Sequence, residues 1–541
     1  MIRHTLALTF GLFAATAPAH AQCWLQHLIS GPVDASLPGA VATAPGRLVL
    51  GQPRRNPTGS PTVRDRVRIF EGAPGALVEV ATLESSLATQ TNASFGHALA
   101  LDGDWLAVGD PIGMQPGAGA FGAVHLYERT PSGWLLREVL LHPFVGVQFP
   151  GGFGVALDLE GDTLVVGAPG ATINTPLPLI ETGVAFVFER TSSGWQLQQT
   201  IEAARPTMMA GFGFSVALDG DDLAIGAPGE SIVATPPLLR EGAVHLFQRA
   251  SGGVFAPVAR LEAALPVAEA GVGYAVDLED GLLVAGAPWT ASGALFEVGA
   301  THVFERTPAG AWLETAALSI PPIRGIERFG ESVRARAGEV YATSGGLACA
   351  WRFTRVAGAW TQTQHYTTEA GVAWPISMPV RLDVTGDVVS LSDPRGATVL
   401  ERVMTAAAET GCAPVPIPGT IPLETYLDVR SELRLSAPTL ELSVYGGSSV
   451  GNGLLFYGFT PASIPLGTGL RCVGGPVARA VAGPAIGSGT SIPLTLDLQS
   501  FPVNTGALAI TAGTPTHFQY WFRTPNASTH LTNSLVLTFC P

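Results

Sequence analysis

The sequence contains no lysine and few charged residues of any kind. All 29 cationic side chains are arginines, and Asp, Glu, Lys and Arg together make up 13% of the 541 residues. Long helices need many charged or strongly helix-forming residues on their wet faces, whereas the 65 glycines and 43 prolines punctuate short strands well. The composition therefore favours an all-β protein.

A basic surface is also missing. The formal net charge is −14 at pH 7, whereas a nucleic-acid binder needs clustered cations that neutralise phosphates. We therefore expect no nucleic-acid partner and no anionic membrane partner. Beyond the N-terminus no run of about 20 apolar residues occurs, so the sequence predicts no transmembrane segment.

The N-terminus has the pattern of a secretory signal peptide. Arg3 and His4 precede a mostly apolar stretch, and Ala19-His20-Ala21 is a small-x-small cleavage site. We predict that residues 1–21 are removed and that the protein is secreted or lies at the cell surface. Cys23 permits a lipoprotein as an alternative, although the residues just before it lack the apolar pattern expected at a lipidated cysteine.

Five cysteines occur, and an exported chain permits disulfides. Because five is an odd number, at least one thiol is left over or pairs with another chain. Cys412, Cys472 and Cys540 all fall in the last quarter of the chain, and we expect one bridge among them. The spacings fit no zinc pattern.

A 17-residue block repeats along the first three quarters of the chain. Clear copies are Phe95–Pro111, Phe153–Pro169, Phe212–Pro228 and Val272–Pro288, and weaker copies end at Pro53, near Gly345 and at Pro394. The copies follow one another at roughly 50–60 residues. Their twelfth and fourteenth positions are apolar in all seven, as expected of one face of a strand.

Each block predicts two strands, a and b, joined by a tight hairpin. A second signature follows, exemplified by Gly122–Arg129 and Gly183–Arg190, and then a strand that opens on an aromatic residue. These are strands c and d. Four-stranded units that repeat radially form a β-propeller. The last unit lacks its own strand d, and residues 23–29 resemble an internal strand d. We therefore predict seven blades over residues 22–411, closed by the N-terminal strand.

The repeated block resembles the FG-GAP repeat of integrin α-subunit propellers and of many secreted bacterial proteins. Phe95-Gly96 is an FG motif and Gly167-Ala168-Pro169 is a GAP motif. The resemblance implies an extracellular propeller whose glycines let backbones pack closely. It also implies calcium in a DxDxDGxxD loop between strands a and b.

The links between strands a and b are too short for such a calcium loop, because calcium needs six to eight oxygens around it. Examples are Leu101–Trp105, Leu159–Thr163 and Leu218–Asp222. We therefore predict no cofactor, with calcium left as the alternative. The turn carboxylates are expected to satisfy backbone groups of the turns; they are Asp102, Asp104, Asp162, Asp219, Asp221 and Asp222.

The period ends near Cys412, and a proline-rich stretch follows at Pro414–Pro418. Strand-like runs over Leu433–Tyr445, Gly453–Phe459, Ile492–Leu498, Ala507–Ala512 and His517–Arg523 predict a small antiparallel β-sandwich over residues 412–541. The end of the chain resembles C-terminal modules of other secreted bacterial repeat proteins. That resemblance implies no particular function.

Three sets of repeated side chains could form sites. His125, His245 and His302 share one position in strand c, where Phe186 also occurs, so packing is favoured over metal ligation. The pairs Glu128-Arg129, Glu189-Arg190 and Glu305-Arg306 close strand c and favour a solvated edge over a binding ring. The aromatic residues that open strand d are expected to pack between blades instead of stacking on sugars; they are Trp134, Trp195, Phe255, Trp312 and Trp360.

The loops between strands b and c are the best candidates for a binding site. They emerge on the same face as the d–a loops, they vary between repeats, and variable loops on a rigid scaffold carry specificity. The candidate ligand-binding residues are Thr172, Asn174, Leu177, Ser231, Thr235, Leu238, Arg240, Thr290 and Phe296. The alternative is that these loops pack against one another or against the C-terminal part.

No nucleophile elbow, HExxH, phosphate loop or paired carboxylate occurs at a usable spacing. We therefore predict a non-enzymatic adhesion or binding scaffold for an extracellular protein or glycan. A polymer-degrading propeller lyase or hydrolase is the alternative, and a cluster of His, Arg, Tyr and carboxylate in the central channel would favour it. A structural cell-envelope role is a third possibility.

Overall fold

The computed structural model consists of strands and their connections, with no helix in the part of the chain that it describes. The described residues are 23–30, 39–52, 65–72, 77–87, 94–114, 121–143, 151–172, 181–231, 240–293, 295–320, 326–346, 349–367, 380–386, 388–393, 396–403, 409–412, 426–429, 439–445, 453–466, 469–474, 478–483, 492–497, 509, 515–523, 529–531 and 534–538. The all-β class predicted from composition is confirmed.

Seven four-stranded antiparallel sheets account for the repeated part. Sheets 1 to 3 consist of β2 (Val41–Ala44), β3 (Arg47–Gln52), β4 (Arg66–Glu71) and β5 (Val78–Leu83); β6 (Leu99–Asp102), β7 (Trp105–Met114), β8 (Phe121–Thr130) and β9 (Gly133–Leu141); and β10 (Ala156–Glu160), β11 (Thr163–Ala168), β12 (Val184–Thr191) and β13 (Gly194–Ile201). Each sheet follows the chain order a-b-c-d.

Sheets 4 to 6 have the same order, and sheet 7 takes its outermost strand from the N-terminus. Sheets 4 to 6 consist of β14 (Ser215–Asp219), β15 (Asp222–Ala227), β16 (Ala243–Arg249) and β17 (Phe255–Leu261); β18 (Ala275–Glu279), β19 (Leu282–Ala287), β20 (Ala300–Arg306) and β21 (Trp312–Leu318); and β22 (Phe329–Arg336), β23 (Glu339–Ser344), β24 (Cys349–Val356) and β25 (Ala359–Thr367). Sheet 7 contains β26 (Arg381–Thr385), β27 (Val388–Asp393), β28 (Gly396–Val403) and β1 (Cys23–Ser30).

The sheets close into a ring around a central channel. The innermost strands β2, β6, β10, β14, β18, β22 and β26 contact one another in this order, and β26 contacts β2. β1 supplies the outermost strand of sheet 7 by pairing antiparallel with β28, Cys23 opposite Val403. The N-terminal strand thus completes the last sheet, as its resemblance to strand d predicts. Closure removes open sheet edges that would otherwise pair with other chains.

Glycines of the repeated block meet where neighbouring sheets touch. A Cβ on Gly167 would lie 2.0 Å from the carbonyl oxygen of Gly213, and a Cβ on Gly286 would lie 1.8 Å from that of Gly330. Real side chains never approach so closely. The GAP glycine of one sheet therefore packs directly on the FG glycine of the next, which confirms the close approach that the sequence predicts.

The apolar core lies between the sheets. Each FG phenylalanine that the structure describes is fully buried: Phe95, Phe153, Phe212 and Phe329. Their rings lie against side chains of strand c, as in the edge contact of Phe153 with Phe186 at 5.5 Å. Core clusters of this kind join consecutive sheets, for example sheets 2 and 3. The inner ring is consequently a rigid frame.

The C-terminal part forms three further sheets. One contains β29 (Glu409–Cys412), β39 (Ser534–Thr538), β37 (Pro515–Arg523), β38 (Thr529–Leu531), β32 (Gly453–Gly458) and β35 (Ala478–Gly483). The others contain β30 (Tyr426–Val429), β31 (Thr439–Tyr445) and β36 (Ile492–Asp497), and β33 (Thr460–Leu466) with β34 (Gly469–Gly474). Four of the five predicted strands coincide with β31, β32, β36 and β37, and the run 507–512 lies almost wholly outside the described residues.

The predicted boundary at residue 412 falls inside β29. Glu409 pairs with Val536 of β39, so the C-terminal sheet begins three residues earlier than the sequence indicates. The division into two domains otherwise stays a prediction. The predicted disulfide among Cys412, Cys472 and Cys540 involves side chains outside the described set.

Candidate functional site: the loop face and the central channel

The b–c loops of sheets 3 and 4 are closed at their bases by side chains. The Thr172 hydroxyl accepts a hydrogen bond from the Glu181 N–H (3.4 Å), and the Ser231 hydroxyl accepts one from the Arg240 N–H (3.1 Å). Both bonds span nine residues of chain. They hold the two ends of each loop together, as side-chain hydroxyls do in tight turns.

The last residues of these loops connect to the next sheet. Glu181, Arg240 and Glu297 adopt left-handed backbone angles, with φ of 55°, 53° and 55°. Their carbonyls accept N–H bonds from Gly211, Gly271 and Arg328, which precede the FG position of the following sheet (3.2, 3.2 and 2.8 Å). The b–c and d–a loops therefore lie together on one face, which we call the loop face.

The predicted ligand-binding residues divide into two groups. Asn174, Leu177, Thr235 and Leu238 lie outside the described residues. Among the others, Thr172, Ser231 and Thr290 bond to nearby loop backbone, with the Thr290 hydroxyl donating to the Ala287 carbonyl (2.9 Å). Arg240 is exposed, and Phe296 is 76% exposed. A ligand role for these residues stays a prediction.

Exposed apolar side chains line the described part of the loop face. They include residues of d–a loops that sequence reasoning missed, above all Leu265, which is 85% exposed. A large apolar residue between two predicted strands was the available signal. The complete set in the described b–c and d–a segments is Ile112, Met208, Met209, Leu265, Trp289, Phe296 and Ile326.

The three strand-c histidines pack in the core, as predicted. His125 and His245 meet the FG rings of Phe95 and Phe212 edge-on at 5.1 and 5.2 Å. The structure adds a carboxylate to each. The carboxylate of Glu230 lies 2.6 Å from His245 Nε2, and that of Glu314 lies 2.7 Å from His302 Nδ1.

The carboxylate of Glu230 has a lowered pKa. Burial opposes this change, but the hydrogen bond and charge of His245 and those of Arg260 outweigh it. Because the Glu230 carboxylate is bonded to His245 and Arg260, it stabilises the core and is not available to a ligand. No three His, Cys, Asp or Glu side chains among the described residues are arranged to hold a metal ion.

The aromatic residues that open strand d also pack, as predicted. Trp195 and Phe255 are buried, and Trp195 meets Trp105 of the previous sheet edge-on at 5.8 Å. Arginines cover several of the remaining ring faces, as Arg249 does on Phe255 at 4.5 Å. A shallow cavity of about 470 Å³ beside Trp105 and Trp195 is likewise lined by Arg190, which stacks on Trp105 at 4.7 Å.

The Glu-Arg pairs at the end of strand c differ from the solvated edge that the sequence predicts. Arg129 bonds Glu71 of the previous sheet (2.7 Å), and Arg249 bonds Glu189 of the previous sheet (2.7 Å). Arg355 pairs with Glu305 in the same manner. These partly exposed ion pairs link neighbouring sheets, and each contributes about 0–1 kcal/mol to the free energy of unfolding.

The a–b hairpins contain two-residue turns, such as Gly103-Asp104 between β6 and β7. Two of the carboxylates satisfy turn backbone groups, as predicted, although in the turn of the next sheet instead of their own. Asp102 accepts the Gly161 N–H and Asp219 accepts the Asp280 N–H of the next sheet, each at 2.7 Å. The other four turn carboxylates pair with arginines: Asp104 with Arg47, Asp162 with Arg190, Asp221 with Arg249, and Asp222 with Arg306.

Deeper in the channel, carboxylates of one innermost strand accept edge N–H groups of the next. Asp277 accepts the Ala335 N–H (2.7 Å), and Asp383 accepts the Thr43 N–H (2.6 Å), across the closure of the ring. Arg334 bonds Asp383 (2.8 Å). These edge N–H groups have no strand partner on the channel side, so the carboxylates satisfy donors that burial would otherwise leave unpaired.

Asp158 occupies the equivalent place in sheet 3. Its carboxylate accepts the N–H groups of Leu218 (2.7 Å) and Leu159 (2.9 Å). Burial raises the pKa of Asp158 to about 6, and the like charge of Asp277 adds to the effect; the two N–H bonds and the charge of Arg334 oppose it. Asp158 differs from Asp277 and Asp383 because no arginine bonds to it.

At the loop face the channel is lined by a different set of residues, which we call the channel mouth. It consists of His97, Phe214, Tyr274, Glu331 and Arg381. The first four hold the third position of the repeated block in sheets 2, 4, 5 and 6. His, Arg, Tyr and carboxylate thus come together at one end of the channel.

Comparison with known proteins agrees with the repeat over one segment of the chain. Residues 195–247, which run from strand d of sheet 3 to strand c of sheet 4, match the FG-GAP repeat family. The chain carries FG-GAP repeats. The glycine contacts between sheets are therefore the physical basis of the FG and GAP signatures.

No curated protein matches the chain. Similar solved structures include a chain of the mitotic checkpoint complex, at 15% identity and a TM-score of 0.42 over 74% of this chain and 99% of that one. A periplasmic gluconolactonase of Pseudomonas aeruginosa is 16% identical, with a TM-score of 0.41 over 61% of this chain and 85% of that one. The fold assignment rests on strand pairing. The described part of the chain contains no helix long and apolar enough to cross a membrane.

Proposed function

We propose that the chain is a secreted binding or adhesion scaffold without catalytic activity, and that its loop face contacts an extracellular or cell-surface ligand. The observation that carries the proposal is the set of exposed apolar side chains on the described loop face. Phe296 and Leu265 are 76% and 85% exposed on loops whose ends are bonded to a rigid ring. Large exposed apolar side chains that share one face of a scaffold can form the apolar patch that is typical of interaction sites.

The rigid frame supports the same proposal. Loop ends held by Thr172, Ser231 and inter-sheet backbone bonds lose little conformational freedom on binding. The signal peptide predicted for residues 1–21 would bring this face outside the cell. An extracellular protein or glycan is then the partner.

The test is capture of the protein on a panel of extracellular polysaccharides and matrix proteins. Phe296→Ser and Leu265→Ser remove apolar surface from the loop face. The matched control is Val258→Ser, because Val258 is 49% exposed but lies on the outer strand β17. We expect at least a tenfold loss of retention for the loop variants and none for the control. Equal retention of all three would contradict the proposal.

A second candidate function, cleavage of an extracellular polymer, is favoured by the channel mouth. The cluster of His97, Tyr274, Glu331 and Arg381 combines groups that can hold or move protons with a cation that can stabilise negative charge. The same panel separates the two functions when it is read by mass spectrometry. Polymer fragments released at many per protein molecule would show that the protein is an enzyme and not only a binding scaffold.

A further inference from the structure

Arg381 is the first residue of the innermost strand of sheet 7. Burial and the charge of Arg381 together lower the pKa of His97 to about 4. Burial raises the pKa values of Tyr274 and Glu331, and the same charge opposes both changes. One guanidinium therefore acts on groups of three other sheets, 2, 5 and 6.

Within the described part of the chain, one buried carboxylate oxygen of the channel mouth has no hydrogen-bond partner. Glu331 is only 5% exposed, and its Oε2 accepts no hydrogen bond. No ion pair links it to Arg381 within the described part of the chain, although the Arg381 charge acts on it. A buried carboxylate oxygen without a hydrogen-bond partner destabilises the fold. This arrangement is unfavourable for the empty fold and suits a site that a ligand completes.

An aromatic surface adjoins these polar groups. The rings of Phe214 and Tyr274 lie 4.8 Å apart at 42°, and Tyr274 meets Trp289 edge-on at 5.1 Å. Phe214 and Tyr274 are only partly buried. The mouth therefore offers flat apolar surface next to a carboxylate, a guanidinium and a phenol.

We propose that the channel mouth binds a neutral pyranose residue of an extracellular glycan. The apolar face of a sugar ring fits against aromatic rings, while vicinal hydroxyls can donate to Glu331 and accept from Arg381 in charge-assisted bonds. The charges of Glu331 and Arg381 balance, and His97 is uncharged at neutral pH. Arg328, whose charge also acts on Glu331, is itself paired with Glu297 (2.7 Å), so a charged sugar has no net attraction. Few polar groups beside aromatic surface are typical of small-ligand sites.

This inference deepens the proposed function and rests on one part of it, namely that the loop face meets an extracellular ligand. The contact residues differ. The proposed function uses the loop tips around Phe296 and Leu265, whereas the sugar site uses side chains of the innermost strands. Variants can therefore separate them.

The experiment is calorimetric titration of the purified chain with hexaoses of glucose, mannose, galactose and xylose, and with oligogalacturonate as the charged comparison. Glu331→Gln keeps the shape of the side chain and removes its charge, and Tyr274→Leu removes the ring. The matched control is Glu160→Gln, because Glu160 lies at the opposite end of an innermost strand and accepts the Gly220 N–H at 2.7 Å. Thermal unfolding verifies that each variant folds.

We expect at least one neutral hexaose to bind, with affinity reduced about 10- to 100-fold in both mouth variants and unchanged in the control. Absence of binding by every neutral hexaose, binding of oligogalacturonate alone, or equal affinity in all variants would overturn the inference. Polymer retention that persists in those cases leaves the proposed function standing. Sugar binding that is lost in Glu331→Gln but unaffected in Phe296→Ser would support the channel mouth as the ligand site. It would contradict a ligand site at the loop tips.

Discussion

The two ends of the central channel are built on different principles. At the end with the a–b turns, side chains join the sheets: Asp102 and Asp219 accept N–H groups of the next sheet. At the loop face, backbone joins the sheets, through glycine contacts such as Gly167 with Gly213 and bridges such as Gly183 with Phe212. Because backbone holds the loop-face end together, its side chains remain available for a ligand.

The pattern of variation along the repeat follows this difference. FG and GAP glycines recur because any side chain would collide with the neighbouring sheet. The third position of the block carries His97, Val155, Phe214, Tyr274 and Glu331 in five successive sheets. A position that varies inside a constant block does not contribute to the repeated packing. Here it lines one mouth.

The largest effect is expected from the closure of the ring. Asp383→Ala removes an acceptor from the Thr43 N–H, the Thr43 hydroxyl and the Arg334 guanidinium. Losing these bonds and leaving the partly buried Arg334 without this carboxylate should lower the free energy of unfolding by about 3 kcal/mol. Chemical denaturation measures the change, and Asp383→Asn, which keeps an acceptor, should lose less. If Asp383→Ala lowers the free energy of unfolding by less than a substitution of an exposed residue does, these side-chain contacts are not the basis of ring closure.

The backbone contacts of the loop-face end predict the next largest effect. Gly286→Ala places a Cβ 1.8 Å from the Gly330 carbonyl oxygen, so one sheet must move, at about 2 kcal/mol. Gly252→Ala is the comparison, because Gly252, like Gly286, has no positive φ, and an added Cβ there meets no atom within 4 Å. It should change the free energy of unfolding by less than about 0.5 kcal/mol. Thermal unfolding of the two variants measures the cost of the contact between the neighbouring sheets. Equal losses of stability in the two variants would contradict the prediction.

Much of this architecture could be predicted from sequence, for physical reasons that differ between elements. The period and the paired apolar positions predict strands, and the Trp-led N-terminal strand predicts closure, because both are local patterns. The partners of Asp102 and Asp219 could not be predicted, since the N–H groups that they accept lie about 60 residues away in the next sheet. The channel mouth was missed for the same reason. Its members lie on five different sheets, and only the ring brings them together.

The pH dependence of stability should distinguish Asp158 from the carboxylates that are paired with arginine. Its pKa is about 6 in the folded chain, above the usual value of an aspartate, so the folded state binds a proton more tightly than the unfolded state between about pH 4 and 6. Its contribution to stability therefore falls as pH rises through this window. Asp158→Asn should remove this slope, on the order of 1 kcal/mol after allowance for solvent screening. Denaturation midpoints of both proteins at pH 4 and 7 measure it, and identical slopes would contradict the assignment.

The smallest expected effect is a gain in stability at the channel mouth. Glu331→Gln replaces a buried, unpartnered carboxylate with a neutral amide, which should raise the free energy of unfolding at pH 7 by up to about 1 kcal/mol. Burial raises the pKa of Glu331, so the folded chain protonates it first as pH falls. The gain should therefore shrink as pH falls through the usual glutamate pKa of about 4.3 and disappear by about pH 3, where the carboxyl is neutral in both states. A stabilised variant that binds sugar less well would show that this end of the channel is kept unfavourable for the sake of a ligand; a destabilised one would show that Glu331 holds the ring together, as the carboxylates at the opposite end do.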